Sequence, residues 1–186
     1  MSDLLRHLAS LVLLPGVVTA AVPLWIARRY GIELLPPEDV TEMLAVAAGL
    51  AVLALGITLF VASLLPFFTR GRGTLAPWDP PRRLVISGPY RYVRNPMIAG
   101  VLFVLFGGAL VLRSMPHFIW ALACLALNTL YIPLAEEPGL ERRFGADYVR
   151  YRANVRRFLP RSGPWDLTRP RPDSPPLRRP AGPPPD

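Results

Sequence analysis

Four stretches of the chain carry no charged residue: Leu8–Ala27, Met43–Thr69, Asn95–Leu112 and Ser114–Ala135. Crossing a bilayer takes about 20 apolar residues, within a range of about 17–25. Each stretch therefore predicts a transmembrane helix, at about 8–27, 43–68, 96–112 and 115–135. The first is too long for the apolar region of a signal peptide, and no A-x-A site follows it before the next run, so a retained helix is expected. Pro15, Gly16 and Pro23 make it the least regular of the four, with a kink. The last two runs are separated only by Arg113-Ser114-Met115-Pro116, which predicts a tight antiparallel hairpin. In such a hairpin the start of one helix and the end of the other meet at the same membrane face.

Beyond Glu137 the pattern changes. Leu140, Phe144, Tyr148, Tyr151, Val155 and Phe158 recur at intervals of three and four, one face of a helix over about 138–158. The opposite face carries Arg142, Arg143, Arg150, Arg152, Arg156 and Arg157, so this helix is expected to lie in the lipid interface. From 162 to 186 the chain is rich in Pro and Arg, a composition that buries no core, and a disordered tail is expected. The reading is thus an all-α integral membrane protein: a membrane domain over 1–161 with four transmembrane helices and an amphipathic interfacial helix, then the tail.

Composition sharpens this. Hydrophobic residues make up 52% and charged ones 18%, against about 45–50% and about 25% in soluble domains. That excludes a disordered chain and a nucleic-acid module on a soluble core, and the single Cys excludes a disulfide scaffold. The net charge of +8 comes from 21 arginines and no lysine. With four spans, eighteen of those arginines share one side with both termini and the loop from Arg70 to Arg94, and the positive-inside rule makes that side cytoplasmic. Arg-only, Ala- and Pro-rich usage suggests a GC-rich bacterial genome and hence the inner membrane. Two His and one Cys leave no ligand set for zinc or iron, so no metal is expected. His7, His117 and Cys124 are read as structural.

Two features point to chemistry. Tyr90-Arg91-Tyr92-Val93-Arg94-Asn95-Pro96 leads into the third helix, with Asn at the N-cap and Pro at the first helical position. Free N–H groups there, flanked by Arg91 and Arg94, suit an anion, or else form only a well-capped helix with snorkelling arginines. At the far end of the hairpin Glu136-Glu137 closes the fourth helix, where carboxylates oppose the macrodipole by about 0.3–1 kcal/mol. Either neighbouring arginines neutralise them or they receive a cationic ligand. Together the two ends fit a zwitterion.

GPYRYVRNPMIAG (88–100), two hydrophobic runs, and EEPGLERRFGADYVRYRANVRRFLP (136–160) resemble the isoprenylcysteine carboxyl methyltransferase family, relatives of the membrane phospholipid N-methyltransferases. The resemblance covers about 82–161, and the first two spans match only in being hydrophobic. It implies an S-adenosylmethionine-dependent methyltransferase with the cofactor at the cytoplasmic hairpin ends. The R-[HN]-P motif falls on Arg94, Asn95 and Pro96 with its trailing Gly100, the paired acids on Glu136 and Glu137, the F-G-x-x-Y-x-x-Y segment on Phe144, Gly145, Tyr148 and Tyr151, and the V-x-R-x-x-P element on Val155, Arg157 and Pro160. The cofactor is thus expected against Tyr90, Arg94, Asn95, Pro96, Gly100, Glu136, Glu137, Tyr148 and Tyr151, with Glu137 and Arg157 as catalytic residues and Arg157 facing the substrate headgroup. The chain departs from the family at Ile98, usually aromatic, at Asn154, often Arg, and at Arg156, usually Pro.

The acceptor implied is lipophilic: a carboxylate, amine, hydroxyl or thiol on a lipid or prenyl tail, entering between helices. Membrane lipids are the expected partners and nucleic acid is not. Two alternatives stand beside this reading. A small four-helix transporter would need an ionisable residue deep in the membrane, and the four runs contain none. A catalytically silent membrane scaffold remains the other.

Overall fold

The computed structural model describes residues 12–69 and 84–166, and every regular element in them is a helix. A π-helical segment, Val12–Ala21, runs into α1, Val22–Tyr30, and α2 is Val40–Thr69. A 3-10 turn at Gly88–Arg91 leads to α3, Pro96–Val111; α4, Met115–Tyr131, continues through a π turn, Ile132–Glu136, into α5, Glu137–Phe144; α6 is Ala146–Asn154. The expectations for 8–11, 70–83 and 167–186 lie outside the described residues.

Two helices are long and apolar enough to cross a membrane, Val40–Pro66 and the continuous Met115–Phe144. Only 11% and 17% of their apolar windows are buried inside the protein, whereas a soluble core helix would hide most of its surface. Leu44, Leu50, Leu55, Leu65, Ile119, Leu127 and Leu130 face outward, a surface that calls for an apolar surrounding. α3 is apolar but shorter, at 16 residues.

α2 and α3 pack antiparallel with their backbones in contact. A Cβ on Gly56 would sit 2.7 Å from the Val104 nitrogen, one on Gly100 2.8 Å from that of Phe60, and one on Gly107 2.6 Å from that of Leu53. Gly49 faces Val111 in the same way. Small residues allow this approach, and in lipid such van der Waals packing is a main source of helix association. Gly108, next to Gly107 in α3, has nothing within 4 Å.

The expected hairpin forms. α3 ends at Val111, Arg113 turns the chain with φ 49°, and Ser114 caps α4. His117 is buried here and structural: its Nε2 donates to the Pro23 carbonyl at 3.0 Å, which leaves Nδ1 to accept from Ser114 Oγ at 2.7 Å. Trp120 Nε1 donates to the Val18 carbonyl at 3.1 Å. These bonds hold the N-terminal arm against the hairpin. A cleft of about 170 Å³ remains between arm, α2 and α3, lined by Pro15, Thr19, Ile57, Phe60, Val101 and Val104.

Three expectations are corrected below the hairpin. The fourth helix does not end at Glu136: it runs on to Phe144, so both acids lie within a helix rather than at its negative end. Pro133 lacks the N–H for an α bond, and the chain widens into a π turn in which the Glu137 N–H reaches the Ile132 carbonyl. Next, the helix expected over 138–158 is broken. Gly145 takes φ 54°, ψ −131°, which a side chain would resist, and α6 stops at Asn154 before extended Val155. Finally, the tail is packed as far as Asp166: Trp165 is buried with Tyr148, Tyr151 and Val155 in a small core that Leu84, Ile86, Leu140 and Phe144 complete.

Candidate functional site

α3 and α5 bring Arg94 and Glu137 together across 43 positions of sequence. Arg94 leaves the 3-10 turn just before α3, and its Nη1 donates to Glu137 Oε1 at 2.9 Å. Arg157, beyond α6, donates to that same oxygen from Nε at 2.9 Å and from Nη2 at 2.8 Å. Three N–H groups thus converge on one buried carboxylate oxygen. The Glu137 side chain is 8% exposed and that of Arg94 10%, so the charges are held away from water, where paired and hydrogen-bonded ions are tolerated and unpaired ones are not.

Glu136, half-buried, lies within electrostatic range of Arg94 and Arg157 but accepts no hydrogen bond among the described residues. Arg94 Nε, too, is buried without a partner among the described residues. One donor and one carboxylate are therefore left beside a centre whose two arginines and one glutamate carry a net charge of about +1.

The tyrosines wall this centre. Tyr148 Oη accepts from Arg94 Nη1 at 3.4 Å. Tyr151 Oη donates to the Tyr90 carbonyl at 2.7 Å, tying α6 to the turn before α3. Burial, and after it the charge of Glu136, raises the Tyr90 phenol far above its ordinary range. Burial and then Tyr90 do the same to Tyr151, and burial and then Glu137 raise Tyr148. All three remain neutral, so Tyr151 keeps the proton it donates.

Direct bonds therefore join Arg94, Glu137, Arg157 and Tyr148, and Tyr90 with Tyr151. Asn95 joins differently from expectation. It occupies the N-cap position, but its side chain caps nothing, and its backbone N–H donates to the Arg157 carbonyl at 3.1 Å. Pro96 is the first residue of α3 and fully buried. Gly100, expected against the cofactor, is instead where α3 meets the α2 backbone. At the departures, Ile98 packs on the core of Leu102, Leu105, Ala121 and Cys124. The exposed Asn154 amide donates to the Arg150 carbonyl within its own helix.

The sequence reading named Arg157 but missed the backbone pairing of Arg156–Asp166 with the turn before α3, and Trp165. Arg94 N–H donates to the Arg156 carbonyl at 2.9 Å, Arg161 N–H to that of Tyr92 at 3.0 Å, and Trp165 N–H to that of Arg91 at 2.9 Å. Arg91 Nε donates in return to the Trp165 carbonyl at 3.2 Å. The signal was a lone Trp within a polar, proline-rich stretch.

A family model described as phospholipid methyltransferase matches residues 44–147. The match takes in the second apolar run, which motif resemblance had left out, together with α3, α4 and the paired acids. Neither a curated protein nor a solved structure matches the chain.

Proposed function

We propose that this chain, which belongs to the phospholipid methyltransferase family, moves a methyl group from S-adenosylmethionine to a lipophilic acceptor at the cytoplasmic face of the membrane. The observation that carries the reading is the Arg94–Glu137–Arg157 cluster, with Arg94 Nε and the Glu136 carboxylate left beside it without a hydrogen-bond partner among the described residues. A ligand with one anionic and one cationic end fits those two groups. Arg94 Nε and the first N–H groups of α3 would receive the methionyl carboxylate, and Glu136 the amino or ribose groups. Tyr148 would close the wall between them, while Glu137 holds both arginines in place.

S-adenosylmethionine supplies a methyl carbon already activated by a sulfonium. What the chain's residues contribute is position and exclusion of water: holding donor and acceptor in line at about 3–3.5 Å accounts for about 7–11 kcal/mol of barrier. Arg157, partly exposed beside the cluster, is the residue nearest to an approaching headgroup. In this reading four helices span the inner membrane of a bacterium and both termini are cytoplasmic. The acceptor, a lipid- or prenyl-type carboxylate, amine, hydroxyl or thiol, arrives from the bilayer.

Saturable binding of S-adenosylmethionine to the purified protein in native lipid tests this, with Glu136→Ala expected to lose it. A transporter or silent scaffold would show no such binding. Incubation with methyl-labelled donor then identifies the acceptor as the extracted lipid that carries the label.

A further inference from the structure

Trp165 lies 18 residues beyond the matched family region, yet it is 4% exposed at the base of the site. Its ring stacks on Tyr151 with centroids 5.7 Å apart, and the Arg150 guanidinium lies 6.0 Å from its centroid. Between Val155 and Trp165 the chain forms a strap across the residues that open α3. The strap's carbonyls at 156 and 157 take the N–H groups of Arg94 and Asn95, and its N–H groups at 161 and 165 go to the carbonyls of Tyr92 and Arg91. Arg157 sits inside this strap, and the strap's register decides whether its guanidinium reaches Glu137 Oε1.

We infer that Trp165 is a positioning residue for the methyl-donor site, acting as the anchor that keeps Arg157 on Glu137 and Glu137 on Arg94. This deepens the proposed function and rests on it. An aromatic ring of this kind buries about 150–250 Å², and no other strap residue beyond Val155 is buried. Without the ring, what remains at the far end of the strap among the described residues is polar: backbone bonds, the Arg91 Nε bond to the Trp165 carbonyl at 3.2 Å and the Arg91–Asp166 ion pair at 3.6 Å. Surface ion pairs contribute little, so the strap then frays back toward Arg157.

The test uses full-length protein in native lipid and compares wild type, Trp165→Ala and Trp165→Phe. Hydrogen exchange reads the strap. Trp165→Ala is expected to expose the amides of Arg94 and Asn95 while those of α3 between Gly100 and Gly107 stay protected. Titration with S-adenosylmethionine reads the site. Its Kd is expected to rise about ten- to hundredfold, the loss that goes with one misplaced hydrogen bond to a charged group. Trp165→Phe keeps a ring in place and is expected to restore both. Unchanged exchange at Arg94 and Asn95, or an unchanged Kd in the alanine variant, overturns the inference. Should Trp165→Ala fail to fold, Trp165→Leu keeps apolar bulk without the ring. It is expected to give the same selective exposure and weaker binding to a smaller degree, and the absence of both would be as decisive. A wild type that bound no donor would defeat the methyltransferase reading instead, while the exchange pattern still judged the strap.

Discussion

Glu137 and Glu136 are neighbours with separable roles. Removing the Glu137 carboxylate leaves two arginines without their shared acceptor in a buried setting, and breaking such a pair costs about 3–5 kcal/mol. Glu137→Ala is therefore expected to lower the unfolding midpoint strongly and to lose donor binding with it. Glu136 holds no hydrogen bond among the described residues, so Glu136→Ala should cost far less stability than Glu137→Ala while donor affinity falls. Thermal unfolding and ligand titration on the same samples separate the two. The phenols of Tyr90 and Tyr151 make a second prediction. Their folded forms hold the proton more tightly than an unfolded chain does, so the stability they contribute is complete below about pH 10 and declines above it. Tyr151→Phe, which removes one of the two phenols and its bond to Tyr90, should flatten that alkaline decline in a pH series of unfolding midpoints.

At the scale of the helix, adjacent glycines of α3 behave oppositely. Gly107→Ala and Gly100→Ala place a methyl into the α2 backbone, an overpacking that costs about 1–3 kcal/mol. Gly108→Ala meets nothing and should stabilise by about 0.5–1 kcal/mol through helix propensity. Unfolding midpoints of the three variants check this. The same helix shows why motif and role diverge: Gly100 trails the Arg94-Asn95-Pro96 element in sequence, but it lies a full turn further along α3, against the α2 backbone. The long apolar runs were legible because a bilayer imposes length and the absence of charge. The break at Gly145 was not, since apolar spacing from Leu140 to Phe158 continues evenly across a residue whose φ is positive. The π turn at Ile132–Glu136 was equally hidden. It arises from Pro133, inside a helix expected over 115–135.

For the whole molecule, the sequence carried the meeting of Arg94 with the paired acids, because a short turn between two spans allows no other arrangement. It did not carry the strap. Composition averaged over 162–186 describes a stretch without a core, and one tryptophan against two tyrosines outweighs that average locally. The arginine distribution predicts that a reporter fluorescent only in the cytoplasm shines when fused after Asp186, while an enzyme reporter active only outside stays silent. The reverse result would turn the site to the other face. The contact between α2 and α3 adds a consequence for traffic. Backbones that touch at Gly49, Gly56, Gly100 and Gly107 can neither roll nor part without losing their seam, so the two helices form a fixed bulkhead. The other flank is held differently: there the arm meets α4 through side-chain bonds from His117 and Trp120, and a mooring of that kind yields before the bulkhead does.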